Sequence, residues 1–177
     1  AVPLLRQALR SSDPWLRIKA AEALAAIGKP AQVAVPELIA RLSRKASSKD
    51  PRNMEQRYLT FALFSHNKGL IGKDLEGIDR KALLKAVRAS LLNQDGRARG
   101  AVSSVYRNLS FDQLKPLLPA ILEAITVRAP SGIMFAHEIR MAGLELFSRH
   151  HVAEGIELLA DYVRDMKPHA SEHRIVK

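Results

Sequence analysis

With 177 residues the chain is long enough for one sizeable core, and with no cysteine it carries no disulfide, thiolate nucleophile or zinc–cysteine site. No apolar run reaches the roughly 18 residues of a membrane span, and no signal peptide is visible. The formal charge of +10 is uneven: residues 1–110 hold 20 Lys/Arg against 9 Asp/Glu (net +11), and residues 111–177 hold 8 against 9 (net −1).

Residues 2–10 read as a helix with Leu4, Leu5, Ala8 and Leu9 inward. Ser11-Ser12-Asp13 is the turn after it. Asp13 is a good N-cap, because its carboxylate accepts a bond from an orphan helix N–H, and Pro14 suits the first helical position, where no N–H is needed. A helix is predicted over 14–28. Leu16, Ala20, Ala23, Leu24 and Ile27 give it one apolar face of mostly small residues, fit for close approach of another helix. Gly28 ends it where a left-handed residue is wanted, and Lys29-Pro30 prevents continuation.

The next predicted helix spans Ala31 to Leu42, followed by a polar basic loop, residues 43–49. After Asp50-Pro51 a helix runs to about His66, the most aromatic piece of the chain. Asn67–Asp79 contains Gly69, Gly72 and Gly77 and reads as a surface excursion. A helix at 80–93 follows, and Asp95 opens another at 96–109. Ser110 with Gln113 three positions later is a capping box, opening a helix through Leu114 to Ile125. Within it Pro119 is expected to bend the helix or shift its start. After a turn at Pro130-Ser131-Gly132 come helices at Ile133–Arg149 and about Val152–Met166. Pro168 breaks the last of these, and a final helix begins near Ala170.

The pieces repeat. Arg17, Arg57, Arg99 and Arg140 are separated by 40, 42 and 41 positions. Three positions after each stand Ala20, Thr60, Val102 and Gly143, and seven after stand Leu24, Phe64, Tyr106 and Phe147. A period near 40 marks a helical solenoid. Pro3-Leu4-Leu5, Asp13-Pro14, Arg17, Ala20-Ala21, Leu24 and Ile27-Gly28 resemble the HEAT repeat and its armadillo-type relatives. The resemblance is strongest over 1–44 and is carried again at 81–127 by Asp95, Arg99 and Pro116. The second repeat departs from the pattern, with Asp50 and Arg57 seven apart instead of four, and the fourth lacks the Asp. The resemblance implies an all-α, right-handed α-α superhelix of about four repeats: 1–28, 31–66, 80–109 and 111–149, with extra helices at 152–177. It also implies that Asp13, Arg17, Asp50, Arg57, Asp95, Arg99 and Arg140 form a structural ladder between turns and helices. The start at Ala1, already helical, leads us to expect a module cut from a longer, bacterial-type multidomain protein.

Chemistry is sparse. No nucleophile arrangement occurs. His137-Glu138 lacks the second histidine of a zinc-protease helix. His169 and His173 have ligand spacing with Glu172 beside them, but no third ligand is evident. Gly69-Leu70-Ile71-Gly72-Lys73-Asp74 lacks the glycine spacing and hydroxyl of a phosphate loop. Glu154, Glu157 and Asp161 read as a solvated acidic stripe. The expectation is no enzyme, no cofactor and no metal, with a glycosylase-like HEAT enzyme as the remote alternative.

What remains is a basic surface with aromatics. Lys19, Arg52, Arg97 and Arg107 lie on helices assigned to the inner layer, Arg44, Lys45 and Lys49 in the loop beside them, and Trp15 and Tyr58 near the same edge. The first reading is a non-catalytic scaffold that binds a protein or peptide on a curved helical surface. The alternative is nucleic-acid binding through 1–110, with phosphates on the cations and Trp15 stacked on a base. Against both stands the plainer reading, in which Trp15 packs on its neighbouring helix and the cations are solvated. No membrane partner is expected, and a monomer is favoured.

Overall fold

The computed structural model describes residues 1–45, 49–50, 53–65, 69–71, 77–93, 102, 105–106, 109–126 and 136–165. All regular structure among them is helical. The α-helices are α1 (Val2–Ala8), α2 (Pro14–Ile27), α3 (Val35–Leu42), α4 (Met54–Phe64), α5 (Arg80–Leu91), α6 (Phe111–Leu114), α7 (Leu118–Thr126), α8 (Ala136–Arg149) and α9 (Ile156–Asp165). α2 packs along α4 as one layer, while α3 packs on α5 and α5 on α7 as the other. α1 joins α2, α3 joins α4 and α7 joins α8 across the layers. This nearest-neighbour stacking is that of a HEAT-like helical solenoid. One apolar core runs continuously from Leu9 to Val152.

Local chemistry sets the helix ends. Asp13 Oδ1 accepts from the Trp15 N–H at 2.9 Å, and Asp79 Oδ1 from that of Ala82 at 2.6 Å, each satisfying an orphan donor. Gly28 closes α2 at φ +73° and ψ −136°, its N–H bonded to Leu24 and Ala25 carbonyls. That is a positive φ as expected, but not the left-handed helical well, and a Cβ would be strained there. The Ser110 N–H donates to Gln113 Oε1 at 2.9 Å, the capping-box contact. The prolines then divide the predicted single helix: α6 ends at Leu114, Lys115–Leu117 tightens to a 3-10 turn, and α7 begins at Leu118 with Pro119 in its first turn.

Several expectations are corrected. Leu4 points outward, 71% exposed, while Val2, Leu5, Ala8 and Leu9 meet the core. Lys29–Ala34 is a 3-10 stretch, not the start of α3, and Val33 is exposed. The buried face of α2 is Arg17, Ile18, Ala20, Ala21 and Leu24; Leu16 and Ile27 lie at its uncovered flank. The face is turned because α4 packs on the Arg17 side. Around 67–79, Leu70 and Ile71 are buried, their N–H groups bonded to the Ala62 and Leu63 carbonyls at 2.8 and 3.0 Å. That part tucks over the end of α4 instead of running across the surface. Gly69 permits it, since a Cβ there would meet the Leu63 carbonyl oxygen at 2.6 Å. At α8, Gly143 lies so close to α7 that a Cβ would overlap the Ile125 side chain.

Candidate functional site

The repeat-to-repeat junctions hold the polar groups that the fold buries. At the first junction Glu55, near the start of α4, takes two arginines. Arg17 on α2 donates from Nε to Oε1 at 2.6 Å and from Nη2 to Oε2 at 2.5 Å, and its Nη1 reaches the Ser11 carbonyl at 2.7 Å. Arg41 on α3 donates from Nε to Oε1 at 2.5 Å and from Nη2 to Oε2 at 3.2 Å. Both pairs are bidentate, so the planar forks fix three helices against one carboxylate. Burial opposes ionisation of Glu55, but the Arg17 and Arg41 bonds outweigh it and hold the carboxyl below its usual range. The Arg17 guanidinium is held above its usual value chiefly by its bond to Glu55.

Asp50 orients that carboxylate's backbone. Its Oδ1 and Oδ2 accept from the Met54 and Glu55 N–H groups, both at 2.8 Å. α4 starts at Met54, not directly after Pro51, and Asn53 precedes it at φ +51° and ψ +38°. This left-handed residue lengthens the turn, which is why Asp50 and Arg57 are seven apart while Asp50 still caps the helix. In the other layer Arg6 Nε donates to Glu37 Oε1 at 2.8 Å, and Nη2 reaches the same oxygen. At the second junction the ties are neutral. Thr60 Oγ1 and Ser90 Oγ are 2.8 Å apart and buried, and Asn93 Nδ2 donates to Gln56 Oε1 at 2.5 Å. The Gln56 amide also reaches the Leu42 carbonyl at 3.3 Å.

The predicted ladder residues are therefore placed differently from expectation. Asp13 and Asp50 act as helix caps within their own repeat, and Arg17 spends its side chain on the next repeat. Arg57 is buried, its guanidinium 5.0 Å from the Tyr58 ring centre, and Arg140 is partly buried on α8. Asp95 and Arg99 lie outside the described residues. Glu55 and Glu37 were not singled out, although opposite charges at 38 and 31 positions from Arg17 and Arg6 are about a repeat apart. Burial also moves the register. α4 repeats the buried pattern of α2 at an offset of 39, so Gln56 takes the place of Arg17, and both bond the following repeat. Arg57 takes the place of Ile18. The match of arginine to arginine at 40 was one residue off.

Of the predicted contact residues, Trp15 is 57% exposed, and Arg44, Lys45 and Lys49 are exposed. Lys19, one helical turn from Trp15, is fully exposed and bonded to Glu22 at 2.8 Å, which raises its pKa; the Tyr58 phenol contributes from α4. Tyr58 is half-buried with its ring edge-on to Phe61. Trp15 and Lys19 thus share one strip of α2, with Tyr58 within electrostatic reach on α4. Arg41, Arg44 and Lys45 line a cleft of about 170 Å³ with Asp50, Glu55 and Gln56. Arg52, Arg97 and Arg107 lie outside the described residues, as do His66, His169 and His173. His150 stacks on Phe111, centroids 4.3 Å apart. Among the described residues no three His, Asp or Glu side chains gather as a metal site. Nor is any helix there long and apolar enough to cross a membrane.

Neither a curated protein nor a solved structure matches the chain. Residues 1–54, from α1 to the first residue of α4, match the family model described as HEAT repeats, and the HEAT resemblance of this chain stands on that stretch and on the helical stacking that continues beyond it.

Proposed function

We propose that the chain is a non-catalytic interaction module that binds a protein segment on the α2–α4 layer. The observation that carries this reading is Trp15, a large aromatic left more than half exposed on a strip it shares with Lys19 and Tyr58. Exposed aromatics with an apolar body and a polar handle are the usual anchors of such contacts. The net +11 of residues 1–110 favours an acidic partner. The same charge, with Arg44, Lys45 and Lys49 exposed in and beside one loop, supports nucleic-acid binding as the second reading.

Trp15 is the only tryptophan, so its fluorescence reports directly on the strip. The test titrates an acidic amphipathic peptide and a labelled DNA duplex at low and near-physiological salt. On the first reading the peptide shifts Trp15 emission, binding persists at near-physiological salt, and Trp15→Ala abolishes it. On the second the duplex binds with affinity that falls steeply as salt rises, and Arg44→Glu with Lys45→Glu removes it. If neither ligand binds, both readings fail and the basic half is solubilising surface.

A further inference from the structure

The second helix pair shows how one pair receives another. α3 repeats α1 at an offset of 33, Val2-Pro3 matching Val35-Pro36, Leu5 matching Leu38 and Leu9 matching Leu42, with the same order of buried and exposed positions. On that register Glu37, which accepts from Arg6, stands where α1 has Leu4. On the offset of 39 between α2 and α4, Glu55, which accepts from Arg17, stands where α2 has Leu16. Arg41, the second arginine on Glu55, stands where α1 has Ala8. The first pair therefore has the stacking face of the second, with its charged groups replaced by Leu4, Leu16 and Ala8.

That face is uncovered. Leu4 is 71% exposed and Leu16 47%; Ile27, three helical turns along the Leu16 stripe, is exposed too. Five of the six large exposed apolar side chains among the described residues fall between Leu4 and Val33. A head-to-tail copy does not fit here. Its Arg6 and Arg17 side is already covered by its own second pair, and brought to this face those guanidiniums would be buried against leucines without an acceptor. A surface without charge needs a partner without charge, and among the described residues the matching surface is this face itself.

We propose that the Leu4–Leu16–Ile27 face is the interface of a two-fold homodimer, continuing the repeat stack by pairing the first helix pairs of two copies back to back. This replaces the expectation of a monomer. It does not depend on the α2–α4 strip, because Leu16 and Trp15 lie on different sides of α2.

Sedimentation of the whole 177-residue chain is expected to show a concentration-dependent dimer. Leu4→Glu and Leu16→Glu should each give a folded monomer, with unchanged helical circular dichroism. The chain has no cysteine, so Leu16→Cys introduces one thiol, which a short bismaleimide should link across the two-fold axis into a covalent dimer. Lys85→Cys, exposed on α5, should not link. A chain that stays monomeric at all concentrations overturns the proposal, as does a dimer that survives Leu16→Glu. Equal cross-linking from positions 16 and 85 also overturns it.

Discussion

The two junctions flanking α4 solve one problem with different chemistry. On the α2 and α3 side, a buried carboxylate is held by two guanidinium forks. On the α5 side, a hydroxyl pair and an amide pair span the same kind of gap without charge. Both put a polar tie in an apolar interface, so both fix how one repeat sits on the next. They differ in what happens when a partner is removed. An orphaned neutral group loses a modest bond, whereas an orphaned guanidinium keeps its full desolvation cost with nothing to offset it.

The sharpest way to test this contrast is Glu55→Ala, which strands Arg17 and Arg41 together. The expected loss is about 3–5 kcal/mol of unfolding free energy by denaturant titration, against much less for Glu55→Leu combined with Arg17→Met. Acid should act next. The Glu55 carboxyl is depressed in the folded chain, so its contribution is full above the ordinary glutamate range, about pH 4.3, and is lost as pH falls through its lowered value. The melting temperature should drop over that window, and Glu55→Gln should flatten the drop; an unchanged profile in that variant would remove Glu55 from the acid response. At the neutral junction, Thr60→Val should cost about 1–2 kcal/mol, and adding Ser90→Ala should recover part of it, since no hydroxyl is then left unpaired. The smallest effect belongs to Arg6→Ala. Its pair with Glu37 is partly open to solvent, and less than about 1 kcal/mol is expected, shrinking further in salt.

Helix existence was legible along the chain because caps and apolar spacing are local. Asp13-Pro14, Asp79, Ser110 and Gly28 each act on residues within a turn of themselves. The orientation of the helices was not. Leu16 and Ile18 are equally apolar, and only the docking of α4 decides that Ile18 is buried and Leu16 is not. The contact strip was legible in part, since an exposed Trp15 beside Lys19 follows from their spacing on α2. The Arg17–Glu55 tie was invisible to local reading because Asp13 offered a nearer carboxylate. That carboxylate is spent on a backbone N–H, and the arginine finds its partner 38 residues away.

Glu55 bonds α2 and α3 simultaneously from its place on α4. Three segments separated in the chain therefore share one fastener, and none can detach without breaking contacts of the other two. Amide hydrogens across 14–64 would then exchange through a common opening event, while the α5 side can open with only neutral bonds lost. A stack of repeats is a row of weakly coupled units; the double fork merges the first two into a single cooperative block, so that fraying begins on the far side of α4.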